Sequence, residues 1–341
     1  LSGARAEAAR RRHVIRAFPR DLGYPRRHAR PGRRAARGIM AQTFTTLPRP
    51  DIPREQVGNV VYGTFGHLGS PFFYVVLLAI FGVTRWSAIW TFFAVSAVFV
   101  PFTLIEEHRN TSLKLPKVNT REVIDGLFMV FVKGVGIGGG FITLGWYALS
   151  FVPLYGRHFN NWWLIAAATI GCDLAYYLIH RLMSHSRGPN PLLRYYRKKH
   201  AAHHSVTELD FLRGNQSSLV DTAFSQFQPS MIVISYVLGM DLESTWVAYA
   251  LILLLQATDH TSVTYNIGWL KYIFMDNHAH KLHHCKRGNL INHAAAFSVF
   301  DRLWGTYYED WSLSSNYLHH HGIPLPIKPV ERRASRTAEP A

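Results

Sequence analysis

From residue 62 onward the chain is dominated by uncharged apolar runs long enough to cross a lipid bilayer, and nothing else restricts its fold so strongly. Residues 62–83 and 86–105 are two such runs, joined by Thr84 and Arg85 alone. Residues 126–152 form a third, rich in glycine and interrupted by Lys133, and residues 162–179 a fourth. A helix needs about 20 apolar residues to span about 30 Å of hydrocarbon, so four spanning helices are expected. Residues 219–239 and 242–257 make a weaker pair, the first broken by Pro229, which can be a full or a shallow hairpin. The fold class expected is therefore all-α integral membrane: about four transmembrane helices plus a possible shallow hairpin, with a helical cytoplasmic cap.

Charge supplies the orientation. Arg49 and Arg54 precede the first run, and Arg109, Lys114, Lys117 and Arg121 separate the second from the third. Arg181, Arg187, Arg194, Arg197, Lys198 and Lys199 follow the fourth, and Lys271, Lys281, Lys286 and Arg287 follow the hairpin. If the helices alternate, all of these lie on one side, which the positive-inside rule makes cytoplasmic. Trp86, Trp90, Trp162 and Trp163 near the run ends suit interfacial belts. The glycine run 134–140 has no preceding strand and no βαβ surroundings, so close helix contact explains it better than a nucleotide loop.

The first 39 residues are another kind of sequence. They hold twelve Arg against Glu7 and Asp21, so that without them the net charge falls from +16 to +6. Such a segment buries too little apolar surface to offset its chain entropy. It is expected to be disordered, or to lie upstream of a true start at Met40, and no nucleic-acid partner is expected. Cys172 and Cys285 cannot form a disulfide framework, and no CxxC pair is available for zinc. The organisation expected is 1–39 as this basic segment, 40–160 as N-terminal membrane helices, 161–312 as a catalytic domain and 313–341 as a Pro- and His-containing tail.

Eleven of the nineteen histidines fall between residues 180 and 293. They cluster as His180 and His185 at the end of the fourth run, then His200, His203 and His204, then His280, His283 and His284. On a helix, positions i, i+3 and i+4 fall within about 100° of arc, so each HxxHH box can aim three imidazoles at one point. His180 and His185, about 140° apart, need a kink, a helix end or two different metals to act together. Eight box histidines exceed the three or four protein ligands of one zinc and suit two metals. Imidazole alone leaves zinc, copper, nickel and iron open. His260 is a candidate ninth ligand, with His278 as the alternative for that place. His67, His108, His158 and His293 are isolated and are read as surface or packing residues, and His319, His320 and His321 as exposed. Asp173 lies within the fourth run, where an unpaired carboxylate costs about 2.5–3.5 kcal/mol. Seven residues before His180, with Tyr176 and Tyr177 between, it reads as an acceptor that orients a ligand imidazole from behind, with Tyr177 beside it. An inter-helix hydrogen bond is the competing role.

These motifs resemble the fatty acid hydroxylase superfamily, which includes sterol desaturases. The resemblance is carried by DLAYYLIHRLMSH at 173–185, KKHAAHH at 198–204, the HTSV at His260, HAHKLHH at 278–284 and NHAAAFSVFDRLWGTYYED at 292–310. The last is similar to that family's closing NYGxxLxxWDRLFGTY stretch. Acyl-lipid desaturases share the box spacings but usually place a hydrophobic stretch between the first two boxes, whereas fourteen polar and basic residues separate His185 from His200. The sequence departs from the family pattern at His293, where Tyr is usual, at RGNQSSLVD (213–221), and at Ser262, where Asn is usual. The resemblance implies two iron ions held by His180, His185, His200, His203, His204, His260, His280, His283 and His284. It further implies O2 as co-substrate and a lipid substrate entering from the bilayer. Electrons would come from a separate donor of ferredoxin or cytochrome b5 type with an NAD(P)H reductase. Hydroxylation and desaturation both remain open. A zinc hydrolase would want an HExxH-type glutamate, which is missing, and a metal transporter would line its spans with histidines rather than their ends.

Overall fold

In the computed structural model of the chain the residues described are 44–48, 60–61, 100–105, 120–128, 136–152, 162–185, 188–206, 209–214 and 227–329, with isolated positions 50, 90, 97, 107, 132, 217, 218 and 221. The basic segment 1–39, the first apolar run, most of the second, and His67, His108 and His158 lie outside them.

The described chain is mostly helical. In order it contains β1 (Phe44–Thr46), β2 (Val60–Val61), α1 (Thr120–Phe128), α2 (Gly139–Ser150), α3 (Trp162–Ile179) and α4 (Pro191–His200). Then come α5 (Gln228–Val237), α6 (Leu242–Gln256), β3 (Thr264–Tyr265), α7 (Asn277–His284), α8 (Ser298–Leu303), α9 (Ser315–His320) and β4 (Ile327–Pro329). The strands form only two short ladders, β1 antiparallel to β4 and β2 parallel to β3.

Four helices make the core bundle: α3 packs on α5 and α6, and α2 packs on the same two. α6 is apolar nearly all round, and ten of its fifteen residues, among them Val247, Tyr249, Leu251 and Leu255, are buried. A helix with no polar face must be covered on every side. At fifteen residues it is about 22 Å long, less than the thickness of a bilayer core, so it is the centre of the bundle rather than a full span. Asp241 starts it by accepting the Ser244 N–H at 2.7 Å, a cap of about 1 kcal/mol. Pro229 does not break α5; it sits in the first turn, where the missing N–H has no intrahelical partner anyway. The glycine run does serve close helix contact: a Cβ on Gly139 would lie 1.9 Å from the Trp246 ring of α6.

Among the described residues one helix is long and apolar enough to cross a membrane, Trp162–Ser184, of 23 residues. Its flanks suit that role, because Trp162 and Trp163 stack at 3.5 Å and stay more than half exposed. Beyond the bundle, a second core forms where Leu282, Cys285, Leu290 and Ile291 meet Leu313, Leu318, Leu325 and Ile327. The segment expected as a C-terminal tail is therefore packed as far as β4, and it closes the underside of α7.

Candidate metal centre

The first pair of histidines is united by a change of helix type. α3 continues into a π-helical turn, His180–Ser184, closed by the His185 N–H on the His180 carbonyl at 3.0 Å. The i→i+5 bond takes one more residue into the turn. His185 thus swings under His180, and their Nε2 atoms stand 3.0 Å apart. This is the kink that the five-residue spacing requires.

α4 opens at Asn190, whose side chain accepts the N–H groups of Leu192 and Leu193, and at Pro191. It ends on His200, and a single 3-10 turn, His203–Ser205, carries the other two histidines of that box. α7 is capped by Asp276, which accepts the Ala279 N–H at 2.7 Å, and presents His280, His283 and His284 buried. His260 comes from the turn after α6.

The nine imidazoles form two groups. His180, His185, His200, His204 and His283 make one; His203, His260, His280 and His284 make the other, the donor atoms of each lying within 4.8 Å of one another. The groups adjoin, the His204 and His284 rings stacking at 4.4 Å across the boundary. Neither HxxHH box aims all three of its histidines at one point, contrary to the expectation from helix geometry. His200 and His204 serve the first group and His203 the second, whereas His280 and His284 serve the second and His283 the first. The reason is angular. On α7 positions i and i+4 are about 40° apart, while i+3 lies about 60° to the other side; in the other box the chain leaves the α-helix after His200, and the 3-10 turn parts His203 from His204.

The donor sets fit metal ions. In the first group His180 Nε2 is 2.9 Å from His200 Nε2, which is 3.0 Å from His204 Nε2. In the second, the Nε2 atoms of His260, His280 and His284 form a closed triangle of 3.1, 3.2 and 3.3 Å. In-line N–H···N bonds cannot close such a triangle. A cation with nitrogen ligands at about 2.0–2.1 Å does, since adjacent ligands then stand about 2.9–3.4 Å apart. His283 gives a second sign, because its Nδ1 faces the Ile291 carbonyl at 2.7 Å while its buried Nε2 has no hydrogen-bond partner. Burial, with neighbouring histidines adding to it, holds His185, His204, His260, His283 and His284 well below the usual imidazole range, and His280 down to about 3. They are thus unprotonated, the form that ligates.

Residues 165–306 match the fatty acid hydroxylase family model. The chain carries a fatty acid hydroxylase domain. No curated protein and no solved structure matches it.

Outside the nine histidines, the matched domain is held by contacts that sequence reasoning largely missed. His180 Nδ1 faces the His293 carbonyl at 2.6 Å, and His200 Nδ1 faces Asp221 at 3.2 Å. Asp221 stands at the end of the divergent stretch 213–221. Asp173 touches no ligand imidazole, correcting the role expected for it. Its carboxylate accepts the backbone N–H groups of Ala295, Ala296 and Phe297 at 2.8–3.2 Å. It thus fixes the loop whose His293 carbonyl orients His180. Asp301, from the DRLWGTYY motif, holds the same loop by accepting the His293 and Ala294 N–H groups and the Thr306 hydroxyl. Tyr177 is likewise corrected: its hydroxyl meets Thr306 at 3.0 Å and accepts from Arg181, and it bonds to no ligand. Tyr176 is the tyrosine that lies against His180, at 4.9 Å.

His278 faces away, its Nε2 donating to the Asp310 carbonyl and its ring stacked on Trp311, so the place beside His280 and His284 is filled by His260. His293 is no surface residue; it is buried, with its ring 5.6–5.9 Å from those of His180, His185 and His283. Among the terminal histidines only His320 and His321 are exposed, because His319 packs between the His284 and Val206 carbonyls. Lys281 is not a cytoplasmic surface charge. It is fully buried, donates to the Val263 carbonyl and the Thr264 hydroxyl, and is pushed by burial down to about 7.

Proposed function

We propose that this protein is a membrane-embedded di-iron enzyme that oxidises a C–H bond of a lipid, a fatty acyl chain or a sterol, with O2. The observation that carries the reading is the division of nine imidazoles into two adjoining donor sets, the first beginning at the end of the one candidate span among the described residues, within a fatty acid hydroxylase domain. When bound, a pair of irons supplies the redox chemistry that an unactivated C–H bond requires and that side-chain acids and bases cannot. The balance for hydroxylation is one C–H bond, one O2, two electrons and two protons giving an alcohol and one water. Desaturation takes the same O2, two electrons and two protons but breaks two C–H bonds on adjacent carbons, giving an alkene and two waters. The electrons come from a separate ferredoxin- or cytochrome b5-type donor with an NAD(P)H reductase, docking from the cytoplasmic side to which the basic segments are assigned.

The chain's own residues do the positioning. Five imidazoles would hold one iron and four the other, with no thiolate or carboxylate among them. The His293 and Ile291 carbonyls and the Asp221 carboxylate fix the ring orientations of His180, His283 and His200. Tyr176, stacked on Phe227 at 4.5 Å, walls the first centre on the bundle side, where an apolar chain reaching in from the bilayer would meet it dry. The test is metal analysis of the purified protein beside its His203→Ala and His284→Ala variants. Two irons per chain, falling to one or none in the variants, is the expected result. One zinc, unaffected by either change, would sink the proposal.

A further inference from the structure

His260 is the only one of the nine histidines that lies in neither a histidine box nor a helical turn of one, so something else must aim it. Much of what holds it comes from outside residues 165–306. Glu107, from the chain's N-terminal part, is buried at 8 % exposure. Its Oε1 accepts the Phe211 N–H at 2.9 Å and the Ser262 N–H at 2.6 Å. The Ser262 carbonyl in turn takes the Asn316 side-chain amide, so the residue two beyond His260 is pinned on both sides of its peptide. β2 runs alongside, Val60–Val61 pairing with Thr264–Tyr265. The loop that Glu107 holds at Phe211 leads to Gly214, where an added Cβ would lie 2.2 Å from the His260 Cβ. The backbone there is thus pressed against the ligand's own stem.

We propose that Glu107 is a positioning residue of the second centre: it ties the loops 209–214 and 260–265 together and thereby sets the approach of His260 to the metal. The proposal rests on the reading of the two histidine groups as metal sites. Its physical basis is the satisfaction of buried groups. Two backbone N–H groups converge on one buried oxygen, and leaving a buried N–H unpaired is costly. The loops therefore cannot part without losing both bonds. Supports of this kind behind a ligand typically change metal affinity about 10–100-fold.

Both bonds end on the same oxygen, so an amide carbonyl can replace the carboxylate but a hydrocarbon cannot. Anaerobic Fe(II) titration of the metal-free full-length chain in detergent reads the outcome. The unaltered chain and Glu107→Gln are expected to take up two equivalents. Glu107→Leu is expected to keep one tight site, with the second weakened about 10–100-fold and its Mössbauer doublet altered. Gly214→Ala, which disturbs the same loop without touching Glu107, is expected to weaken the same site and serves if Glu107→Leu does not fold. Two full-affinity sites in Glu107→Leu, or in Gly214→Ala, would overturn the proposal while leaving the metal reading intact. So would a Glu107→Gln chain as impaired as Glu107→Leu. No uptake by the unaltered chain would sink the metal reading, and this proposal with it.

Discussion

The way a single ligand is aimed is clearest at His200. The Asp221 carboxylate, buried with it, lies 3.2 Å from Nδ1, which commits that nitrogen to a proton and leaves Nε2 for the metal. Asp221→Leu removes the acceptor and is expected to lower iron affinity at the first centre about 10–100-fold, measured by equilibrium titration, while the second centre is unchanged. Equal affinity at both centres would show that Asp221 only packs. Around the second centre the corresponding carboxylate, Asp259, stands 3.7 Å from His280 Nδ1, too far for a hydrogen bond. Of the carboxylates that matter here, only Asp173 stands out in the sequence, because an acid inside an apolar run announces itself. Its partners are backbone N–H groups from residues 295–297, and no side-chain pattern signals those.

Among the elements, the π-turn at His180–Ser184 has the largest consequence for its size. It spends one residue beyond the α-helical repeat to put His185 beneath His180. Inserting one alanine between Arg181 and Ser184 would lengthen the spacing to six and carry the His185 side chain about 100° further around the helix. Such a chain is expected to fold, to retain the second iron and to lose the first, as read by metal content per chain. Retention of two irons would mean that the turn does not set the site. α7 makes the complementary point. Its histidine pattern was legible as a metal box, but which of its members serves which centre depends on α4 and the 3-10 turn lying opposite.

At the scale of the whole molecule, six imidazoles, four of them buried and two partly buried, are held uncharged, and that ties stability to pH. Their folded-state values lie below the ordinary 6.5, His280 at about 3. Below pH 6.5 the unfolded chain therefore takes up protons that the folded chain refuses, and stability must fall as pH drops through that window. Thermal unfolding of the metal-free protein is expected to shift to lower temperature between pH 7.5 and pH 5. A flat profile over that range would be incompatible with this burial. The same crowding explains why metal removal should be costly in itself, since facing nitrogen lone pairs about 3 Å apart repel unless a cation or shared proton lies between them.

Much of this protein was legible in its residues alone. Apolar run lengths pointed to a mostly helical chain, and the run at 162–179 lies on the one helix among the described residues long and apolar enough to cross a bilayer, because hydrocarbon thickness sets a minimum span. The spacings of His180, His185, His200, His203, His204, His280, His283 and His284 pointed to a multi-metal centre, because helix periodicity converts spacing into direction. Only the tertiary structure decided how those directions combine. It divided the boxes between two centres, chose His260 over His278, buried Lys281 and His293, and enlisted Glu107 from far along the chain. These are outcomes of which backbone meets which side chain across 20 to 155 residues of sequence, and periodicity carries no information over such separations.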